Sequence, residues 1–246
     1  MSKGKLLITG ASGALAEVCI PMAIAQGWEV LAVSRGAPPT AAPDGVRWLR
    51  ADVAQMEEAD TLFRTLQEAQ AVPDALVHLA GSFLLAGLGQ TSEQQYRQCL
   101  SANLDSAFFT LRAFVAARRR VGGGAAVFVS SVVAAIGVAF HEAVAAAKGG
   151  LEAMVRAAAA THARDGIRVN AVASGLMDSR AAAHLLRNPQ SRELAARQYP
   201  LGGLIPAEQV ARMLLTLVDP ENGNITGQIL PVDGGFTAIR PLVTAN

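Results

Sequence analysis

The sequence has few cysteines, few aromatic residues and no excess of charge of either sign. Its 246 residues include two cysteines, Cys19 and Cys99, and aromatic residues make up 5%. Two widely separated thiols form neither a disulfide framework nor a metal cluster, so we expect reduced thiols, a cytoplasmic protein and no metal site. The net charge of +1, with basic and acidic residues interleaved, excludes the basic stripe that binds nucleic acid and the field that attracts anionic lipid.

Apolar segments of the membrane-spanning kind are also missing. The N-terminal sequence MSKGKLLITG enters a strand-like run without the apolar core of a signal peptide. Residues 121–140 carry no charge, but their glycine triplet, serine pair and β-branched centre favour a buried strand with a loop over a spanning helix. We therefore expect a soluble protein with no membrane partner, whose 51% hydrophobic residues fill the core of an α/β domain.

The sequence does contain a regular alternation of short apolar runs and longer helical segments. Strands are predicted at 5–9, 28–33, 46–50, 74–79, 125–130, 167–172 and 227–232, and helices at 13–26, 55–70, 92–119, 142–163 and 206–218. This order predicts a parallel sheet covered by helices on both faces. The Pro/Gly-rich loop 35–45 is too short to separate domains, so residues 1–246 are predicted to form one domain.

The predicted helix 143–163 is nearly all alanine and has few charges in its first half. A helix without a polar face is buried on most sides, and small residues let its neighbours approach closely. We therefore expect another subunit to cover this helix, in a homo-oligomer such as a dimer or tetramer.

The stretch LLITGASGALAEV places a strand, a glycine turn and a helix start in direct succession. Such a turn directs backbone N–H groups and the positive end of a helix at an anion, usually a diphosphate. Gly10 permits the tight turn, Gly13 permits the close approach of phosphate, and Ala16 lets helix and strand pack. A glycine turn that only reverses the chain is the alternative interpretation.

The end of the second strand bears on which nicotinamide cofactor is preferred. Folds that prefer NAD usually carry an acidic residue about twenty residues after the turn, whereas this sequence reads VLAVSRG, with Ser34 and Arg35. Arg35 there can pair with a 2′-phosphate, which favours NADP(H) over NAD(H). The alternative is a solvated arginine at a strand end.

Taken together, these motifs resemble the short-chain dehydrogenase/reductase family over the whole chain, from TGASGALA through VDGGF at 232–236. The resemblance implies a single Rossmann-type, doubly wound parallel sheet of about seven strands, and an oxidoreductase that acts on a carbonyl or alcohol with NAD(P)(H). It also implies a substrate lid within 176–205, a segment whose mixed polar and apolar residues suggest a medium-sized apolar substrate.

The resemblance also assigns cofactor-binding residues. The diphosphate turn, the adenine-contacting RADV, the HLAG that stands for the family's NNAG, and the SGLMDS after the sixth strand each match a family motif. In the order of the chain, these motifs supply Thr9, Gly10, Ser12, Gly13, Leu15, Asp52, Val53, Ala80, Gly81, Gly175 and Ser179.

The family's catalytic group is Asn, Ser, Tyr and Lys, and the resemblance assigns Asn103, Ser131 and Lys148 to three of these roles. The slot of the tyrosine, four residues before Lys148, holds Val144. Lys148 is interpreted as a ribose or phosphate contact, with a side chain that reaches solvent as the alternative.

Two histidines are candidates for the missing acid. His141 lies three residues before Val144, and an imidazole can protonate an alkoxide near neutral pH. Its ordinary alternative is a histidine at a helix entrance. His78 is a weaker candidate, because a histidine often closes a buried strand.

Three hypotheses about function follow. The first is an NADP(H)-dependent oxidoreductase of altered mechanism, with Ser131 binding the substrate oxygen and His141 or water as the acid. The second is a catalytically silent member, either a ligand sensor or a subunit of a mixed oligomer with an active homologue. The third is a lyase or isomerase reaction in the same cleft. The sequence favours the first by a small margin.

Overall fold

A computed structural model describes residues 2–38, 43–179, 182–183 and 185–241. Seven strands form one sheet in the order β3-β2-β1-β4-β5-β6-β7, and every pairing is parallel. The strands are β1 Lys5–Thr9, β2 Glu29–Ser34, β3 Arg47–Arg50, β4 Ala75–His78, β5 Gly124–Ser131, β6 Ile167–Ser174 and β7 Ile229–Val232. The predicted parallel, doubly wound sheet is confirmed, because continuous apolar strands such as LLIT are buried on both faces.

The helices differ from the predicted ones chiefly in one place. They are α1 Ala14–Ala25, α2 Met56–Glu68, α3 Glu93–Leu100, α4 Ser106–Arg118, α5 Glu142–His162, α6 Pro189–Ala196 and α7 Ala207–Val218. The predicted helical run 92–119 is present as α3 and α4, which a π-helical turn at Ser101–Asp105 joins without a break in the helix. Helix α6 lies within the expected lid, a segment in which the sequence had predicted no helix.

Two apolar layers cover the sheet. On one face α2, α4 and α5 pack through Leu66, Phe114 and Leu151 against Phe128 of the sheet. On the other face α1 and α7 pack against the same strands, and Leu214 is fully buried there. None of the helices in the described part of the chain has the length and hydropathy needed to traverse a bilayer.

The sheet order places a cleft between the carboxyl ends of β1 and β4. The chain leaves β1 for α1 on one face and works outward to β2 and β3, whereas β4 to β7 extend the sheet in the opposite direction. In open parallel sheets, ligands bind at this change of direction. Part of the 35–45 loop (residues 39–42) and part of the expected lid (180, 181 and 184) lie outside the described residues.

Candidate active site

The glycine turn after β1 has the geometry that its sequence predicts. Gly10 has φ +66°, and a side-chain carbon there would lie 2.6 Å from the backbone nitrogen of Ala80. The turn therefore lies directly against the chain that follows β4. Helix α1 begins at Ala14, so the free N–H groups of its first turn and its positive end lie beside the cleft. These features leave room for an anion and provide donors for it.

The ends of β2 and β3 bring the expected adenosine-binding residues to one edge. Ser34 pairs with Arg50 in the sheet, and the exposed Arg35 follows Ser34. Asp52 Oδ1 accepts a hydrogen bond of 3.1 Å from the Ala54 N–H, which fixes the short turn after β3. The residues present fit an adenine dinucleotide, because the glycine turn, the exposed Arg35 and the hydrogen-bonded Asp52 follow the ends of β1, β2 and β3 in turn.

Asn103 sits in the π-helical turn and holds the loop that follows β4. Its side chain is 1% exposed. Its Nδ2 donates to the Cys99 carbonyl at 3.0 Å and to the Ser82 carbonyl at 3.2 Å, while its Oδ1 accepts from the Ser82 N–H at 3.2 Å. A π-helical turn contains one residue more than an α-helical turn, and here it accompanies the inward position of the Asn103 side chain. Asn103 therefore fixes the backbone beside Gly81.

Lys148 lies on the buried face of α5 and is 7% exposed. Its Nζ donates a hydrogen bond of 2.7 Å to the Val129 carbonyl of β5. A side-chain carbon at Gly81 would lie 3.7 Å from this Nζ and 2.9 Å from Asn103 Oδ1. Gly81 thus joins Asn103 and Lys148 in one small region. Burial lowers the pKa of Lys148 to about 8, against the weaker opposite effect of Cys99.

Val144 lies one helical turn before Lys148 and is 5% exposed. It belongs to an apolar cluster beside the lysine, which also includes Cys99, Val132, Val133 and Ala143, with Leu84, Val138, Ala145 and Phe236 at its edge. The residue one turn before Lys148 is therefore part of an apolar cluster and carries no group that exchanges a proton.

Ser131 ends β5 and pairs with Ser174, the last residue of β6. Its Oγ accepts a 3.4 Å hydrogen bond from the Val133 N–H, so its hydroxyl proton remains available to a ligand. Gly175 follows Ser174 and is held from the lid side, because the Leu176 N–H donates to the Tyr199 hydroxyl at 2.6 Å. Sequence reasoning missed Tyr199, which meets Leu176 only through the fold.

His141 precedes α5 and takes no part in the contacts of Lys148. Its Nδ1 lies 2.8 Å from the Ala139 carbonyl, and its ring meets the ring of Phe83 edge-on at 5.6 Å. Because a carbonyl only accepts, Nδ1 must carry the proton, and in the neutral ring Nε2 then has none to donate. The structure places His141 at the helix entrance, as the ordinary interpretation expected.

His78 is a buried structural link. Ser106 Oγ donates to the Ala102 carbonyl at 2.7 Å, so it accepts from His78 Nε2 at 3.2 Å. Nδ1 then accepts from the Thr9 hydroxyl at 2.9 Å. Burial, with a smaller contribution from Lys148, lowers the pKa of His78 to about 3. A neutral His78 therefore connects β1 to the start of α4.

A groove of about 640 Å³ opens at the lid side of this cleft. It extends from Ala14 at the start of α1 to Ser179 after β6, and it is bordered by Arg192 of α6 and Glu208 of α7. Arg192 donates to Asp178 at 3.0 Å, which ties α6 to the segment carrying Ser179. The groove therefore connects the start of α1 and the predicted cofactor-binding residue Ser179 with the expected lid.

The chain matches known proteins over nearly its whole length. The family profile described as enoyl-(acyl carrier protein) reductase matches residues 10–237. A cis-4-hydroxycyclohexanecarboxylate dehydrogenase from Sinomonas cyclohexanicum is 34% identical over 193 residues, covering 78% of this chain and 77% of that protein.

Two solved structures share the fold. ElxO with NADP bound is 22% identical, has a TM-score of 0.90, and covers 97% of this chain and 100% of its own. A short-chain dehydrogenase from Leptospira borgpetersenii serovar Hardjo-bovis with bound NAD+ is 20% identical, has a TM-score of 0.87, and covers 96% and 94%. The chain belongs to the short-chain dehydrogenase/reductase family, whose members are NAD(P)-dependent oxidoreductases of alcohols and carbonyls.

Proposed function

We propose that the protein is an NADP(H)-preferring oxidoreductase that interconverts a carbonyl and an alcohol without the phenolic acid of its family. The observation that carries this proposal is the grouping of Lys148 and Asn103 around the side-chain-free Gly81, next to an apolar Val144. This grouping supports a reductase site in which position 144 cannot exchange a proton.

The cofactor is held along the strand ends. The turn at Gly10 and Gly13 faces the diphosphate, together with Thr9, Ser12 and Leu15, and the exposed Arg35 pairs with a 2′-phosphate. Asp52 and Val53 contact the adenine, and Ser179 contacts the nicotinamide amide. When bound, the dihydronicotinamide supplies a hydride, and the residues of this chain position the carbonyl that receives it.

The reacting oxygen is held by Ser131. Its hydroxyl proton is not required for the bond with the Val133 N–H, so Oγ donates to the substrate oxygen. Lys148 places a positive charge nearby, and Asn103 keeps the backbone at Gly81 in place. Val144 supplies no proton, and His141 takes no part in the contacts of Lys148, so the proton comes from Lys148 or from water.

The substrate has an apolar body of moderate size. Val132, Val133 and Val144 form an apolar wall beside Lys148, and Phe236 extends this wall toward the lid. A ring such as the cyclohexane of the Sinomonas substrate fits such a wall better than a polyhydroxylated chain does. The ketone 4-oxocyclohexanecarboxylate is therefore the first substrate to test.

The apolar position 144 also favours a second candidate function, a catalytically silent member that binds cofactor. Such a protein acts as a ligand sensor or as a subunit beside an active homologue. It differs from the first candidate in one measurable property, because it binds the dinucleotide and transfers no hydride. A lyase or isomerase differs again, since it turns over substrate with no change in nicotinamide absorbance.

We also propose that the outer faces of α4 and α5 are covered in a homo-oligomer. Phe108 of α4 is 51% exposed, and exposed alanines of α5, among them Ala153 and Ala157, form a smooth surface. Aromatic side chains such as Phe108 are enriched at protein–protein interfaces. Light scattering after gel filtration gives the mass, and Phe108→Glu is expected to produce a smaller species.

The test of the function is calorimetric titration with NADPH, NADP, NADH and NAD, followed by assays with carbonyls and alcohols. Micromolar binding of the NADP pair and oxidation of NADPH by a ketone would support the reductase. Binding without turnover would support the silent member. No binding at millimolar concentrations of any of the four would exclude both dinucleotide functions.

A further inference from the structure

We propose that Lys148 itself, rather than a histidine or a tyrosine, gives the proton to the substrate oxygen. This inference rests on the proposed function and deepens it, because it assigns the acid of the same site. It is distinct from a ribose contact, for which any fixed cation would serve.

The first argument is the position of the ammonium group. Lys148 Nζ is buried, and among the described residues its one hydrogen bond is to the Val129 carbonyl at 2.7 Å. An ammonium has three donors, so two remain for a ligand. In the described part of the chain no carboxylate forms an ion pair with Lys148. A buried cation without a counter-ion is stabilised by an oxygen that develops negative charge.

The second argument is access. Gly81 is exposed, and the space where its side chain would begin lies 3.7 Å from Lys148 Nζ. A substrate oxygen, or one intervening water, can therefore reach the ammonium from the cleft. On α5 itself, the residue one turn before Lys148 is the apolar Val144. The phenol that would separate Lys148 from the oxygen in other family members has no counterpart here.

The third argument is the set of titratable groups around the lysine. Cys99 of α3 affects the pKa of Lys148, and the charge of Lys148 in turn affects the pKa of His78 of β4. His78 is neutral and already has two hydrogen-bond partners, and burial raises the pKa of the Cys99 thiol. On α5 itself, Glu152 accepts a hydrogen bond from Ser130 at 2.7 Å. Lys148 is therefore the group in this cluster that exchanges a proton near neutral pH.

The chemistry balances with the family's hydride donor. The dihydronicotinamide would supply the hydride from its own C–H bond, so that the cofactor would be oxidised as the carbonyl carbon is reduced. The electron pair of the broken C=O π bond moves to oxygen. That oxygen forms a bond to a proton of Lys148 Nζ, and the electron pair of the broken N–H bond stays on nitrogen. The neutral amine then takes a proton from water. In alcohol oxidation the same amine is the base.

The experiment compares Lys148→Arg and Lys148→Met with the wild-type protein. Arginine keeps the cation and its donors but does not release a proton below pH 12. NADPH binding is measured by calorimetry, and kcat and KM are measured from pH 6 to 10. The substrates are 4-oxocyclohexanecarboxylate and phenanthrene-9,10-quinone, a flat apolar diketone. His141→Ala is the matched control.

If Lys148 is the acid, Lys148→Arg binds NADPH within about threefold of wild type and loses about 10²- to 10⁴-fold in kcat. Wild-type reduction falls as pH rises through about 8, while alcohol oxidation rises, and both pH limbs disappear in Lys148→Arg. Independently of turnover, acetylation of Lys148 by acetic anhydride, followed by mass spectrometry, reaches half its maximum near the same pH. His141→Ala keeps at least a third of the wild-type kcat.

Two results would overturn the inference in different ways. Turnover that persists in Lys148→Arg, or a pH limb that disappears in His141→Ala, removes Lys148 as the acid and leaves the oxidoreductase in place. NADPH binding by the wild-type protein with no reduction of either probe removes the acid role together with the oxidoreductase, and points to the silent member. If Lys148→Met does not fold, the comparison of Lys148→Arg with the wild-type protein still tests whether Lys148 is the acid.

Discussion

Val144 and Lys148 project from successive turns of the same buried face of α5, and they are 5% and 7% exposed. Their side chains therefore border the same end of the cleft, but only the lysine can exchange a proton. A tyrosine at position 144 would extend from this face toward the substrate oxygen that we propose Ser131 to bind. Substitution of Val144 by tyrosine therefore tests whether a phenol is the group that the site lacks.

Restoring the phenol is expected to add an acid that works at high pH. In Val144→Tyr, kcat for ketone reduction at pH 9 should rise by at least about tenfold, because the ammonium of Lys148 is then largely deprotonated. The new ring must fit beside Cys99 and Val133, so thermal unfolding should show a cost of about 1–3 kcal/mol. Val144→Phe has the same bulk without the hydroxyl and should show the cost but no gain. Equal rates in the two variants would refute the prediction.

The strands and the glycine turn could be predicted from the sequence because their signals are local. Apolar runs such as KLLIT are buried wherever the sheet is covered on both faces, and β1 matches its predicted bounds. The turn at Gly10 has a positive φ and a close backbone neighbour, which is what a glycine after a strand and before a helix indicates.

The remaining parts of the site depend on contacts between distant residues. The apolar period continues through 92–119, so nothing in it marks the π-helical turn that carries Asn103. The Tyr199 hydroxyl meets the Leu176 N–H across 23 residues, and the proton position on His78 depends on Thr9 and Ser106. Such contacts have no periodic signal in the sequence.

Arg35 is expected to set the preference for NADP(H). It is exposed at the end of β2, where its charge can meet a 2′-phosphate, and a hydrogen bond between charged groups contributes about 1.5–3 kcal/mol. Arg35→Ala should weaken NADPH binding by about 10- to 100-fold in calorimetry and leave NADH within about twofold. Arg64→Ala, on the exposed side of α2, is the control and should change neither. Equal losses of affinity for NADPH and NADH would show that Arg35 does not bind the 2′-phosphate.

Gly10 is expected to tolerate no side chain. Alanine there must adopt φ +66° and would place its Cβ 2.6 Å from the Ala80 backbone nitrogen. The conformation alone costs about 1–2 kcal/mol, and the clash forces the turn away from the chain after β4. Gly10→Ala should therefore lower the urea midpoint and abolish NADPH binding. Gly36→Ala, where an added Cβ meets nothing within 4 Å, should change stability by less than about 0.5 kcal/mol. A Gly10→Ala protein that binds NADPH normally would exclude the turn from the cofactor site.

His78 is expected to make the fold acid-sensitive. Burial lowers its pKa from 6.5 to about 3. Between about pH 3 and pH 6.5, His78 is therefore protonated in the unfolded chain and neutral in the folded chain. The stability that depends on a neutral His78 is complete above pH 6.5 and is lost as pH falls, by at most about 1.4 kcal/mol per pH unit. His78→Gln, whose amide can still donate and accept, removes this titration. Urea unfolding from pH 7.5 to 4.5 should therefore show a shallower decline for His78→Gln than for wild type, while His162→Gln, at the end of α5, should keep the steep decline because His78 is intact. If His78→Gln declined as steeply as wild type, His78 would not be buried as a neutral base.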